Sequence, residues 1–202
     1  MADEIVRFRF VGYSLRIPTA YLRGGATPRP ELGISDAVRL FASAPHLMPL
    51  TPAQSEAFFR PGSQGVWVTM EGHPQILHGQ ALLDAMTRFN GHENRDGERD
   101  ANGFLVYRAK IPAAAATWAE IYVWPGDPER IFHCSDSLPP VRFPHCAAER
   151  WIGGTLRLSM RFPKTLVPHY LALEASLESA MSCALDGSDL LGRAWPPRTL
   201  TP

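Results

Sequence analysis

Two dipeptides, His133-Cys134 and His145-Cys146, hold the densest ligand chemistry in the chain and stand twelve residues apart. Imidazole and thiolate are ligands of tetrahedral zinc, so the four groups form a candidate set. Strand geometry argues against it, because adjacent side chains on a strand leave opposite faces and cannot both turn to one ion. A bond between Cys134 and Cys146, across a hairpin turning at Pro139-Pro140, is a second reading. In an oxidising compartment it would stabilise by about 3 kcal/mol. Reduced thiols packed as small apolar groups are a third, and Cys183 is the odd thiol beside any such pair. The other histidines, His46, His73, His78, His92 and His169, form no H-E-x-x-H spacing. The sequence also has no G-x-S-x-G elbow and no phosphate loop ending in lysine. His73 beside Glu71, and His78 six residues before Asp84, pair a base with a carboxylate on paper. With seven histidines and twenty acidic residues, such neighbours arise by chance. The sequence nominates no catalytic residue, no metal ligand set and no cofactor.

The most polar run is Asn90 to Gly103, NGHENRDGERDANG. It has no apolar periodicity and reads as an exposed, mobile connection. Its charges, Glu93, Arg95, Asp96, Glu98, Arg99 and Asp100, are the candidate contact residues for a protein partner.

The elements that must position these groups follow from hydrophobic period. Gly153 to Leu185 opens with strict alternation (Leu156, Leu158, Met160 and Phe162 apolar), the mark of a half-buried strand. After Pro163 the apolar residues Leu166, Tyr170, Leu173, Leu177, Ala180 and Ala184 recur every three or four, the stripe of an amphipathic helix over about 165–185. Val6, Phe8 and Phe10, then Tyr13, Leu15 and Ile17, alternate on either side of Val11-Gly12 and predict a β-hairpin. Thr51-Pro52 predicts a helix start running to about Phe59. Ala37–Ala42 reads as a strand or a helical turn, further strands are expected at Val66–Met70, Phe104–Lys110, Ala119–Trp124, Ile131–Ser135 and Arg142–Ala147, and a helix at His78–Phe89 is striped by Leu82, Leu83, Met86 and Phe89. The sum is an α+β fold: mainly antiparallel sheet of about 6–9 strands carrying two or three helices, one domain over 1–185. The stretch 186–202 is rich in Pro and Gly and reads as a loosely attached or disordered tail, with Trp195 its one large aromatic.

Composition narrows the function classes. Of 202 residues, twenty are basic and twenty acidic, so no global field attracts nucleic acid or an anionic membrane. No apolar run is long enough to span a bilayer. The N-terminus MADEIVRFRF has no signal-like basic or apolar region, which predicts a cytoplasmic protein, or a periplasmic one if a signal has been removed. Nothing in the sequence specifies an oligomeric state.

The order of segments resembles small bacterial immunity proteins encoded beside polymorphic toxins, including type VI secretion effectors. The residues that carry this are Phe8-Arg9-Phe10-x-x-Tyr13-x-x-x-Ile17-Pro18-x-x-Tyr21-Leu22, then Ala37-Val38-x-Leu40-Phe41-Ala42 with Pro45, Leu47 and Pro49, and Phe58-x-x-Pro61-Gly62. The most specific is Arg161-Phe162-Pro163-Lys164-x-Leu166-x-Pro168-His169-Tyr170-x-x-Leu173-Glu174, with the pair Cys134 and Cys146 ahead of it. The resemblance implies a non-enzymatic α+β protein that binds a cognate toxin and occludes its active site, without nucleic acid, membrane or cofactor. A small enzyme with an unrecognised histidine–carboxylate site, and an effector chaperone or adaptor, are the competing readings.

Overall fold

The computed structural model describes residues 4–22, 28–56, 58, 60, 62–72, 77–110, 118–136 and 143–185. The expected turn at Pro139-Pro140, His73 and the 186–202 tail lie outside these. The chain opens with strands β1 (Ile5–Phe10) and β2 (Tyr13–Pro18), then β3 (Glu31–Leu32), β4 (Ala37–Ser43) and β5 (Met48–Pro49). Helix α1 (Pro52–Glu56), β6 (Gly65–Gly72) and helix α2 (Gly79–Asn90) follow. Strands β7 (Leu105–Arg108), β8 (Glu120–Trp124), β9 (Asp127–Cys134), β10 (His145–Ile152) and β11 (Leu156–Pro163) lead into a 3-10 turn (Lys164–His169) and helix α3 (Tyr170–Ala184). The fold is α+β as expected, with eleven strands among the described residues in two sheets. The large sheet is antiparallel throughout, ordered β5-β4-β6-β11-β10-β9-β8-β7; the small one is β2-β1-β3.

Alternation decides which face each strand buries. The β1–β2 hairpin forms in full register from Ile5↔Pro18 to Phe10↔Tyr13. Its two turn residues, Val11 and Gly12, both have positive φ (50° and 87°), the turn whose twist matches a hairpin. Val11 is unusual there for a β-branched residue. Its side chain packs against Gly72, where an added Cβ would stand 2.7 Å from Val11 Cγ2 and 2.6 Å from Ile34 Cα. The Tyr13 hydroxyl donates to the Ile152 carbonyl (3.2 Å), tying the small sheet to β10.

The large sheet is covered on both sides. On one face Ile121, Val123 and Ile131 pack with Leu83 of α2. On the other, Tyr122, Phe132, Phe162 and Phe104 gather around Tyr170 of α3, and the small sheet completes that core. Two sequence expectations shift here. Phe89, placed on the α2 stripe, is exposed. Ala180, placed on the α3 stripe, is also exposed, while Met181 is buried in its stead. The C-terminal helical segment runs over Lys164–Ala184, as expected, its first part 3-10 up to His169 because Pro168 cannot donate to a regular α-helix. Thr51 caps α1 as expected, its hydroxyl accepting from the Gln54 amide (3.3 Å) and its own amide donating to Gln54 Oε1 (2.9 Å).

What fixes α3 on the sheet is charge. Glu174, 2% exposed, accepts from Arg130 of β9 and Arg150 of β10, both buried as well. Arg130 also lies over the Trp124 ring, 4.8 Å from its centroid. Removing the carboxylate would leave two desolvated guanidiniums facing an apolar core. We expect Glu174→Ala to cost about 3–5 kcal/mol in urea unfolding; a loss below about 1 kcal/mol would show the cluster to be dispensable.

Candidate functional site

Three places gather polar chemistry. The first is Asn90–Gly103, which is not the structureless connection its composition suggests. Gly91 ends α2 in the left-handed conformation (φ 62°), and His92, 1% exposed, donates from Nε2 to the Trp118 carbonyl (2.6 Å). Beyond it the chain runs back along β7 as a ribbon. The Glu93 and Arg108 backbones exchange hydrogen bonds (3.1 and 2.9 Å), and the Val106 amide donates to the Glu98 carbonyl (3.0 Å). Side chains replace the missing apolar periodicity. Asn94 donates to the carbonyls of Glu98 and Val106 (both 2.8 Å), Asp100 accepts from the amides of Asn102 and Phe104 (both 2.9 Å), and Asn102 donates to the Val167 carbonyl (2.9 Å).

The six candidate contact residues are engaged in this ribbon. Arg95 pairs with Glu93 (2.7 Å), which also takes Lys110, and those two partners hold the Glu93 carboxyl below its ordinary range. Arg108 bonds Glu98 (2.6 Å) and lowers it likewise, while also bridging to Glu120. Burial disfavours charge on Glu120, yet hydrogen bonds from Tyr122 (2.6 Å) and Lys164 (3.0 Å) outweigh it and leave that carboxyl low. Arg99 donates to the Gly103 carbonyl (2.9 Å), and Asp96 occupies the tight turn with positive φ (52°).

The second place is the His-Cys region. Cys134 and Cys146 are direct cross-strand partners on β9 and β10, both fully buried and joined to each other. His133 leaves the opposite face and stacks flat on Trp118, ring centroids 3.6 Å apart. His145 Nδ1 lies 3.4 Å from the Ser135 hydroxyl. Among the described residues, no three His, Cys, Asp or Glu side chains converge as a metal site would require. His78 sits by Glu129 (3.4 Å) and the Trp151 ring, while Asp84 accepts from Gln80 (2.7 Å), so that paper pair is not brought together.

The third place was not singled out from the sequence. A cleft of about 580 Å³ opens between α3 and the β1–β2 hairpin, floored by apolar side chains such as Leu40, Leu47 and Val68. Arg16, His46 and the exposed Cys183 also line it. The outward face of the hairpin carries Arg7, Arg9 and Arg16, and Arg7 stands directly across from Arg16. The alternating arginines were legible as the polar half of two strands; only pairing the strands makes them a cluster.

No protein-family profile matches the chain, and no curated protein sequence does. Solved structures with the same fold exist. An immunity protein of the Stenotrophomonas maltophilia type IV secretion system superposes with a TM-score of 0.62 at 14% identity, over 91% of this chain and 94% of that one. The iron-regulated outer membrane lipoprotein FrpD of Neisseria meningitidis superposes with a TM-score of 0.55 at 12% identity, over 89% and 92%. At these identities the likeness is one of fold. No described helix is long and apolar enough to cross a membrane.

The His133 environment gives a pH test. Burial first, then the positive charges of Arg161, His145 and His92, push its pKa down to about 3. The fold therefore prefers the neutral ring. That preference contributes stability fully above the ordinary value near 6.5 and loses it as pH falls towards 3. We expect the melting temperature to drop between pH 7 and pH 5, and His133→Phe to flatten part of that drop. Proton NMR of the ring should show no titration of His133 above pH 5.

Proposed function

We propose that this chain is an immunity protein: it binds a cognate bacterial toxin delivered by a dedicated secretion machine and blocks it by covering its active site. The observation that carries this is the fold likeness to a secretion-system immunity protein, which spans nine-tenths of both chains rather than a shared fragment. The surface supports the same reading. Arg7, Arg9 and Arg16, which form no ion pair among the described residues, and exposed apolar residues such as Ile5 and Met48 are what a binding face presents. The protein acts stoichiometrically, as a plug, with no chemistry of its own. On the secretion route the resemblance in sequence points to type VI effectors, whereas the solved neighbour serves a type IV system. The shared element is an immunity protein tied to a secretion system.

Co-expression with the toxin domain encoded by the adjacent gene tests it. We expect restored growth and a stable complex on size exclusion. Full toxicity and no complex, with the chain folded and abundant, would reject the proposal.

A second observation bears on where blocking happens. A bond such as that between Cys134 and Cys146 is common in oxidising compartments and rare in the cytosol. We propose on this ground that the protein works outside the cytoplasm, against the expectation drawn from its N-terminal residues. Unfolding native protein purified from that compartment under alkylating conditions should reveal one free thiol, Cys183. Three free thiols would place it in a reducing environment.

A further inference from the structure

We infer that the cleft between α3 and the β1–β2 hairpin is the docking site for the toxin, and that its occupant is an acidic segment bearing an apolar anchor. This rests on reading the chain as a toxin-binding protein.

The hairpin beside the cleft supplies the charge argument, since Arg16 lines the cleft and Arg7 is its cross-strand partner. Arg7 and Arg16 face each other across the hairpin, with Arg9 two residues further along β1 and in register with Glu31 of β3. Like charges placed directly opposite each other destabilise a sheet. None of the ion pairs among the described residues involves Arg7, Arg9 or Arg16. Arg16 Nε is buried without a hydrogen-bond partner, a cost the isolated fold bears with no return. A carboxylate from outside, placed beside Arg7 and Arg16, relieves the like-charge opposition.

The interior supplies the shape argument. Ser176, Ser179, Ala180 and Cys183 recur at three- and four-residue spacing on the cleft side of α3, so that wall is built of small side chains. Behind them Leu177 and Met181 join Leu40, Leu47 and Val68 as an apolar floor. A volume of about 580 Å³ accepts more than one large apolar side chain.

Charge also selects the occupant. Arg7 and Arg9 are about 7 Å apart along the strand, and Arg16 is about 5 Å across from Arg7. The Arg7–Arg16 pair next to an apolar cleft matches a carboxylate carried beside an apolar side chain on a polypeptide. A second copy related by a two-fold axis would set this arginine cluster against itself, which disfavours self-association.

The test uses the full chain and the toxin domain from the co-expression assay. Cys183 reports on occupancy: N-ethylmaleimide should alkylate it at least tenfold more slowly in the complex than in the free protein. Arg7→Glu with Arg16→Glu should weaken binding at least fiftyfold. Ala180→Trp, which fills the cleft without changing charge, should weaken it at least tenfold. Arg88→Glu on α2, across the large sheet, should change it less than threefold, and circular dichroism confirms that each variant folds. A complex in which Cys183 reacts at the free rate and the charge reversals are neutral would overturn the cleft assignment and leave the immunity reading standing. Absence of any complex with the wild-type chain would remove both. Protection of Cys183 in the free protein that is lost on dilution would assign the cleft to a second copy, and so also overturn the proposal.

Discussion

One buried carboxylate held by two guanidiniums orients the C-terminal helix of this molecule. Glu174 reaches Arg130 and Arg150 on adjacent strands, and Tyr170, one turn earlier on the same face of α3, lies within 3.5 Å of the same carboxylate. An unpaired charge at that depth would cost several kcal/mol, so the helix has essentially one rotation about its axis that satisfies all partners. That rotation sends Leu173, Leu177 and Met181 into the core. It leaves Ser176, Ser179, Ala180 and Cys183 facing the cleft. The small-residue wall of the proposed docking site is thus a consequence of an interaction on the other side of the helix.

The two edges of the large sheet are managed differently, and this separates scaffold from surface. At the β7 edge the ribbon from Glu93 to Arg99 covers the strand through bridges Glu93↔Arg108 and Arg99↔Leu105. Its charges are neutralised among Lys110, Arg108, Glu120 and Lys164. A covered edge with paired charges resists unwanted strand pairing and offers a partner little new energy. At the other end β5 is only two residues long and the cleft lies open nearby. Met48 of β5 is exposed there, and Arg16 of the neighbouring small sheet lines the cleft.

Legibility in the sequence tracked hydrophobic period. The hairpin at Val11-Gly12, the Thr51-Pro52 helix start and the passage from β11 to α3 were all readable, because each is fixed by local alternation, capping or proline. The ribbon was not, since Asn94, Asp100 and Asn102 hold it through side-chain hydrogen bonds to backbone groups up to 65 residues away. Such bonds leave no periodic trace. Ala180 and Met181 exchanged places on the helix because Glu174, a charged residue that a hydrophobic stripe omits, set the true phase. The cleft is assembled from the hairpin, β4, β6 and α3, which are brought together only by tertiary packing. The pairing of Cys134 with Cys146 was open from spacing and follows from the β9–β10 register, which sets the two residues face to face.

Amide hydrogen exchange on the chain with and without the toxin domain examines most directly whether this protein is a plug with a defined working face. Protection is expected to rise across residues 5–18 of the hairpin and 176–184 of α3, and to stay unchanged in the ribbon at 93–108. Identical exchange in the presence of toxin, or protection confined to the ribbon, would contradict it.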